Sequence, residues 1–235
     1  TPCPDGDLVH AVFAREGGVS PHPYESLNLS ISTGDSMDNA RANRRRAYEA
    51  VGLPFESMAD VWQIHSADTV RFDAPRSDRE MKADGLITDR PGVSLFQRFA
   101  DCVPILLYDA KHRALGMVHS GWRGTVNRAA ASPVKAMAEA YGARPADLIV
   151  GIGPSIGPDH YEVGSEVIEA AREAFPNPDG LLIDRGGKTF FDLWAANERA
   201  LREAGVEQIE IAAMCTACHT DLFFSHRAEG GQTGR

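Results

Sequence analysis

Three segments of the chain carry histidine or cysteine where an apolar stretch gives way to a turn. His65 and His119 each end such a stretch, and Cys102 lies just before another. Imidazole and thiolate are borderline to soft ligands, which zinc and copper bind well. Two histidines and one cysteine would leave a fourth coordination position for water or substrate, which is typical of a catalytic metal centre.

Spacing alone leaves other interpretations open for these three residues. Nothing local in the sequence forces them together, so each could be a buried or hydrogen-bonded structural residue. Cys102 in particular could fill the core as a small hydrophobic side chain. It could also be the nucleophile of a cysteine hydrolase, with His119 as its base.

A second cysteine motif, Cys215-Thr216-Ala217-Cys218-His219, lies close to the C-terminus. It matches the pattern of c-type haem attachment, but no export signal accompanies it. It could be half of a zinc ribbon, but the chain has no second CxxC motif. We interpret it as a strand end and a loop that packs near the active cleft.

Arginines and a glycine-rich turn offer candidate sites for an anionic group. Arg44 lies in a predicted helix and Arg123 in a turn flanked by glycine, and a guanidinium can hold phosphate through paired hydrogen bonds. Residues 151–157 are rich in glycine but lack the Lys-Ser/Thr pair of a P-loop. We therefore interpret them as a tight structural turn.

Alternating elements predict how these side chains are positioned. Helices are expected at residues 38–51, 126–141 (with a break or kink at Pro133), 165–175 and 192–204. Apolar stretches of strand length lie at residues 8–13, 61–64, 85–88, 93–99, 103–108, 114–119, 148–152 and 209–214, and residues 73–84 are expected to form a surface loop. This interleaving predicts an α/β protein with helices covering the sheet faces.

Composition excludes several broad classes of function. The 235 residues carry 24 Lys and Arg against 33 Asp and Glu, a net charge of −9, so nucleic acid and anionic membranes are unfavourable partners. No apolar run is long enough for a membrane helix. With four cysteines and no visible export signal, we expect a reducing, cytoplasmic location.

Several motifs together resemble one known family. They are Gly17-Gly18-Val19-Ser20, Ser26-Leu27-Asn28-Leu29-Ser30, Gln63-Ile64-His65, Ala100-Asp101-Cys102-Val103-Pro104-Ile105, Val118-His119-Ser120-Gly121-Trp122-Arg123-Gly124-Thr125, Gly153-Pro154-Ser155-Ile156-Gly157 and Phe223-Phe224-Ser225-His226-Arg227. In this order they resemble the YfiH-like family, also called the laccase-domain, polyphenol oxidase or peptidoglycan-editing-factor family. The resemblance runs over nearly the whole chain. The family's C-terminal motif often continues as Arg-Asp, where this chain has Ala228-Glu229.

The resemblance implies a fold, a metal site and a set of activities. The fold would be a single domain, residues 1–235, of α/β/β/α layers. The metal site would be mononuclear, with His65, Cys102 and His119 as ligands. The activities would be phosphorolysis of adenosine, inosine, guanosine and methylthioadenosine and hydrolytic deamination of adenosine, or alternatively copper-dependent phenol oxidation or editing of peptidoglycan precursors.

The histidine pattern favours nucleoside chemistry among these activities. The eight histidines include no His-x-His pair of the kind that builds a trinuclear copper cluster. A single zinc with two histidines and a cysteine, or copper as the alternative metal, better suits Lewis-acid chemistry on a purine nucleoside and phosphate. We expect Asp101 to act as a base or, because neighbouring side chains on a strand face opposite ways, to support the ligand beside it. We expect Asn28 to bind the sugar, and Arg44 and Arg123 to bind phosphate. A non-enzymatic module that binds a metal or a cell-wall precursor is the remaining alternative, and the sequence leaves the oligomeric state open.

Overall fold

The computed structural model describes residues 8–235, without the side chains of residues 78 and 79. Cys3, for which the sequence predicts a position in a frayed terminus, lies outside this range. Within this range, the helices are too short and too polar to cross a membrane.

Five α-helices form within residues 8–235, and the first and the last of them have a side-chain cap at the N-terminus. They are α1 (Met37–Ala50), α2 (Trp122–Val126), α3 (Ala131–Tyr141), α4 (Ser165–Ala174) and α5 (Leu193–Glu203), with short 3-10 turns at Phe55–Ser57 and Pro145–Asp147. Asp192 caps α5 by accepting a hydrogen bond from the Ala195 amide. Gly142 ends α3 in the left-handed conformation, with a φ of 73°.

Twelve strands form three sheets in the described part of the chain. The strands are β1 (Met58–Trp62), β2 (Thr69–Arg71), β3 (Arg76–Lys82), β4 (Gly85–Thr88), β5 (Ser94–Leu95), β6 (Val103–Asp109), β7 (Ala114–Ser120), β8 (Ile149–Ile152), β9 (Glu162–Val163), β10 (Leu182–Arg185), β11 (Lys188–Phe191) and β12 (Gln208–Ile211). The largest sheet has the order β12-β8-β6-β7-β4-β2, and the two smaller sheets are β3-β1-β5 and β10-β11-β9.

The main core lies between the six-stranded sheet and the helices α3, α4 and α5. Ile105 and Leu107 of β6 are buried there with Val134 and Met137 of α3 and Leu201 of α5. A second cluster packs α1 against the start of the small β3-β1-β5 sheet, through residues that include Ala47, Tyr48, Met58 and Phe96. Burial of apolar side chains on both sides of β6 explains why nearly every residue of that strand is apolar.

The predicted α/β class is confirmed, but four local predictions are wrong. Of the strand expected at 93–99, only Ser94–Leu95 forms. Residues 8–13 form no strand. Residues 73–84 contain β3, which pairs with β1 through backbone hydrogen bonds despite its charged side chains. The helix expected at 126–141 is broken before α3, and Pro133 lies in the first turn of that helix, where its missing amide hydrogen costs little.

Candidate active site

His65, Cys102 and His119 converge in the folded chain. Their ligand atoms all lie within 4.8 Å of one another. The Cys102 Sγ is 3.9 Å from the His65 Nε2, and the two imidazole rings meet edge to face with centroids 4.9 Å apart. Only His119 is fully buried, while His65 is exposed and Cys102 is partly buried, so the group lies at the surface end of the sheet.

Strand pairing brings the cysteine and His119 together. β6 and β7 form an antiparallel pair in which Pro104 lies opposite His119. Cys102 lies one residue before β6 and two residues before Pro104, so this pairing brings its sulfur to within 4.8 Å of the ligand atom of His119. His65 comes from the turn after β1, where its backbone has a φ of 62°, a left-handed conformation that is uncommon for residues other than glycine.

Gly121 makes room for the group. A Cβ atom at this position would lie 2.9 Å from the Cys102 Sγ and 3.0 Å from the His65 Cδ2. Any side chain here would push the two candidate ligands apart. Glycine directly after β7 is therefore required by the close approach of the backbone to the site.

Asp84, which sequence reasoning missed, fixes the orientation of His119. Its Oδ1 accepts a hydrogen bond from the His119 Nδ1 at 2.8 Å, and its Oδ2 accepts from the backbone amides of Ile64 and Ser66 at 3.1 and 2.6 Å. The Asp84 carboxylate thus ties the His65 turn to His119. With Nδ1 protonated, the Nε2 lone pair of His119 is free to bind a metal, which is the usual role of a carboxylate behind a histidine ligand.

Charges in the site stabilise a thiolate. Burial alone would raise the pKa of the Cys102 thiol, but the charge and hydrogen bond of His119, together with His65, outweigh it and lower this pKa to about 6. Burial would likewise lower the pKa of His119, but Cys102 and Asp84 raise it to about 9. Burial also opposes ionisation of Asp84, yet the hydrogen bond and charge of His119 lower its pKa. These shifts describe a thiolate at Cys102 beside a protonated His119. A cation that displaces the Nε2 proton of His119 would meet a thiolate and two imidazoles, a donor set that fits zinc or copper.

Asp101 does not face this group, contrary to its expected role as a base. Its Oδ1 accepts hydrogen bonds from the Thr216 and Ser225 hydroxyls, each at 2.7 Å, and its Oδ2 accepts from the Arg227 amide at 2.7 Å. Both oxygens are therefore engaged by the C-terminal segment. Asp101 holds that segment beside the turn that carries Cys102.

Asn28 is also committed to structural contacts. Its side-chain amide is fully buried and donates to the Ser30 carbonyl and to the Thr33 and Asp35 side chains. Its oxygen accepts from the amides of Ser30 and Arg235, each at 3.0 Å. Both polar atoms of the Asn28 side chain are therefore engaged within the protein, and neither is free for the expected hydrogen bond to a sugar.

Arg44 is buried in α1 rather than open to a phosphate. Its Nε donates to the Leu29 carbonyl at 2.8 Å, and its Nη1 lies 3.4 Å from the Asp60 carboxylate. The guanidinium also lies over the Phe96 ring, 5.1 Å from the centroid. These contacts join α1 to β1 and neutralise the charge of Arg44 inside the protein.

Arg123, in contrast, remains accessible close to the site. It lies in α2, four residues after His119, and its side chain is 56% exposed. It lies over the Trp122 ring and 3.4 Å from the Glu166 carboxylate. Tyr161, which sequence reasoning did not single out, lies near enough for the charges of Cys102 and Arg123 to affect it, and burial first and then Cys102 raise its pKa.

The glycine-rich turn at 151–157 is structural, as the sequence indicates. The Gly153 amide donates to the Pro104 carbonyl at 2.8 Å, and the Ile156 amide donates to the Asp101 carbonyl at 3.0 Å. These amides are used inside the protein and are not directed at a phosphate. The turn instead supports the start of β6 beside Cys102.

A large cavity lies beside the candidate site rather than on it. Its volume is about 600 Å³, and its walls are mostly apolar side chains of the sheet face that carries Leu106 and Met117. Phe99 and Asp101 line one end of it, but His65, Cys102 and His119 do not. The candidate active site is therefore identified by the converging side chains and not by the cavity.

Comparison with known proteins places this geometry in a family. The family model described as multi-copper polyphenol oxidoreductase laccase matches residues 9–235. Among curated relatives, purine nucleoside phosphorylase YlmD of Geobacillus stearothermophilus is 36% identical, with 99% of this chain and 89% of the relative covered. Purine nucleoside phosphorylase of Deinococcus radiodurans is 37% identical, with 99% and 88% covered.

Comparison with solved structures shows that the fold is that of YfiH and YlmD proteins. The Bacillus licheniformis hypothetical protein YfiH superimposes with a TM-score of 0.89 at 34% identity, covering 94% of this chain and 88% of the other. The Geobacillus stearothermophilus YlmD structure gives a TM-score of 0.88 at 36% identity, covering 94% and 87%. The chain therefore belongs to the laccase-like YfiH/YlmD family, as the resemblance of its motifs implied.

Proposed function

We propose that this chain is a zinc-dependent purine nucleoside enzyme that cleaves nucleosides with phosphate and also deaminates adenosine. The names of its curated relatives support the phosphorylase activity. The observation that carries the proposal for this chain is the convergence of His65, Cys102 and His119, with Asp84 behind His119. Adenosine, inosine, guanosine and methylthioadenosine are the proposed substrates, and residues 1–235 are proposed to act as one domain.

Phosphorolysis would exchange one bond at the sugar. A phosphate oxygen attacks the anomeric carbon, the bond from that carbon to the base nitrogen breaks, and the departing base nitrogen takes the electron pair and a proton. The products are a free purine and a sugar 1-phosphate. Arg123 is the residue of this chain that we propose to hold phosphate, because its exposed guanidinium lies four residues from His119.

Deamination would take place at the base instead. Water adds to carbon 6 of adenosine, the bond to the amino nitrogen breaks, and ammonia leaves with the transferred proton. Zinc held by His65, Cys102 and His119 would supply Lewis acidity for polarising water or a substrate oxygen. Asp84 would hold the Nδ1 hydrogen of His119 and so direct Nε2 at the ion, while Asp101 would keep the turn before β6 in place.

A product assay tests this proposal directly. Metal-replete protein is incubated with adenosine, with and without phosphate, and the products are identified. Adenine with ribose 1-phosphate, formed only when phosphate is present, supports phosphorolysis, and inosine supports deamination. His219→Ala is a suitable control because His219 does not belong to the group. Turnover that survives complete removal of metal contradicts the zinc-dependent mechanism, and oxidation of a phenol without nucleoside turnover would favour the oxidase activity in the family's description.

A cysteine hydrolase is a second candidate, and Asp84 is the observation that favours it. The Cys102 thiol contacts the His119 imidazole, and this imidazole is hydrogen-bonded to the Asp84 carboxylate. Such a chain of thiol, imidazole and carboxylate activates a cysteine nucleophile. Iodoacetamide labelling of Cys102 separates the two functions. Protection of Cys102 by zinc supports the metal enzyme, whereas a trapped acyl group on Cys102 in metal-free protein supports the hydrolase.

A further inference from the structure

A second group of metal-type side chains lies away from the first, where the CxxC motif meets another turn. The His160 Nδ1 and the Sγ atoms of Cys215 and Cys218 all lie within 4.8 Å of one another. His160 follows the glycine-rich turn, more than 50 residues earlier in the chain than the cysteines. Sequence reasoning considered the two cysteines without this third residue and found no partner for them.

Both nitrogen-to-sulfur distances in this group match those around a tetrahedral ion. Zinc binds sulfur at about 2.3 Å and nitrogen at about 2.0–2.1 Å, so tetrahedral geometry separates a sulfur and a nitrogen ligand by about 3.6 Å. The His160 Nδ1 lies 3.7 Å from the Cys215 Sγ and 3.5 Å from the Cys218 Sγ. One imidazole nitrogen thus stands at the expected separation from both sulfurs.

Hydrogen bonding does not explain the convergence equally well. The His160 Nδ1 has either one lone pair or one hydrogen, so it can form a normal hydrogen bond with only one of the two sulfurs. A cation with vacant coordination positions can accept an electron pair from all three atoms at once. The arrangement therefore fits a shared ion better than a pair of thiol–imidazole hydrogen bonds.

The backbone packs closely around the sulfur of Cys215. The Gly157 amide donates a hydrogen bond to the Cys215 Sγ at 3.2 Å, and hydrogen bonds of this kind tune the sulfur ligands of metal centres. A Cβ atom at Gly157 would lie 3.1 Å from the Cys215 Cβ, so glycine allows this approach. Ser155 and Cys215 also form a β-bridge, which holds the two segments in register.

We propose that His160, Cys215 and Cys218 bind a second zinc ion, separate from the one proposed for the nucleoside site. His160 and Cys218 are exposed, so the ion can enter from solvent. Its role is to fasten the turn at 153–161 to the segment at 214–219. That segment also carries Thr216, which donates to Asp101 next to Cys102, so the second ion would brace the turn that holds the first site. This proposal does not depend on which reaction the protein catalyses.

Metal counting in the intact chain tests the proposal. Purified, reduced protein is loaded with zinc, freed of excess, and analysed for zinc per chain. Two ions per chain are expected for the unaltered protein, and one for Cys218→Ser and for His160→Ala. Cys102→Ser should also retain one, from the second group, and Cys102→Ser combined with Cys218→Ser should retain none.

His219→Ala is the matched control, because His219 belongs to the CxxCH motif but not to the group. It should retain two ions. Circular dichroism checks that each variant folds, and cobalt in place of zinc should give sulfur-to-metal absorption that remains in Cys102→Ser and is lost with Cys102→Ser and Cys218→Ser together. The proposal is overturned by one zinc per chain that Cys218→Ser leaves unchanged, or by a metal-free protein whose mass shows a Cys215–Cys218 disulfide.

Discussion

The two histidine and cysteine groups differ in what surrounds them. The first, at His65, Cys102 and His119, has a buried histidine whose imidazole is fixed by the buried carboxylate of Asp84. The second, at His160, Cys215 and Cys218, has an exposed histidine, and its structural support comes from the Gly157 amide and a β-bridge.

We propose that this difference separates an ion used in chemistry, at the first group, from an ion that holds two loops together, at the second. A carboxylate behind a histidine ligand tunes its basicity and orientation, which matters when the metal must act on a substrate. Two cysteines on one short loop and a histidine on another form a clip, which matters when the ion must hold segments together. Loss of the first group should therefore affect turnover most, and loss of the second should affect stability most.

Cys102→Ser should have the largest effect. A serine hydroxyl is a poor replacement for a thiolate ligand, so nucleoside turnover should fall by at least about 100-fold, more than the loss of an orienting partner causes. Steady-state kinetics with adenosine and phosphate measures the loss, with His219→Ala as the matched control. Turnover comparable to that of the unaltered protein would remove the first group from the mechanism.

Asp84→Asn should have the second largest effect, and it tests the role of the buried carboxylate. The asparagine loses the negative charge that orients His119, so zinc affinity at the first group or turnover should fall about 10- to 100-fold. Competition with a chelator measures the affinity. A variant that loses stability but keeps both zinc affinity and kcat would show that Asp84 is only a structural link.

Cys218→Ser should lower the stability of the fold more than it lowers nucleoside turnover, the opposite of what is expected for Cys102→Ser. If free zinc is about 100 times its dissociation constant, the second ion stabilises the fold by about 2.7 kcal/mol. For a chain of this size that corresponds to a fall in Tm of roughly 5–10 °C. Thermal unfolding with and without chelator measures it, and a chelator that destabilises this variant as much as the unaltered protein would contradict the clip.

Asn28→Ala should show the smallest effect on catalysis. It removes a buried amide that makes five hydrogen bonds, so the free energy of unfolding should fall by about 1–3 kcal/mol while the KM for adenosine stays unchanged. Urea unfolding and steady-state kinetics are the two measurements. A raised KM without loss of stability would restore the sugar-binding role that the sequence indicated.

Local signals in the sequence were sufficient for most of the central sheet. The predicted strands at 103–108 and 114–119 correspond to β6 and β7, and the one at 85–88 has the bounds of β4. Runs of apolar residues are a strong signal where both faces of a strand are covered. β3 was missed because its charged side chains hide a strand that is stabilised mainly by backbone pairing with β1.

The candidate site residues also divide into those that a local signal in the sequence identifies and those that only the folded chain reveals. His65, Cys102 and His119 were identified by residue type and by their positions at the ends of apolar stretches. Asp84 was missed because one carboxylate at the end of a polar stretch gives no sign that it will be buried behind a histidine. Asn28, Arg44 and Asp101 have side chains suited to substrate binding or catalysis, but only the folded chain shows that their polar atoms are engaged elsewhere.

The sequence by itself determined the α/β class, the main strands and three of the metal-type side chains, because residue type and periodicity are local properties. Tertiary structure alone decided which side chains meet. The pairing of β6 with β7 brings Cys102 to His119, and the bridge between Ser155 and Cys215 brings the CxxC motif towards His160. Such meetings depend on strand register and loop closure, which link residues far apart in the chain and leave no regular pattern in the sequence.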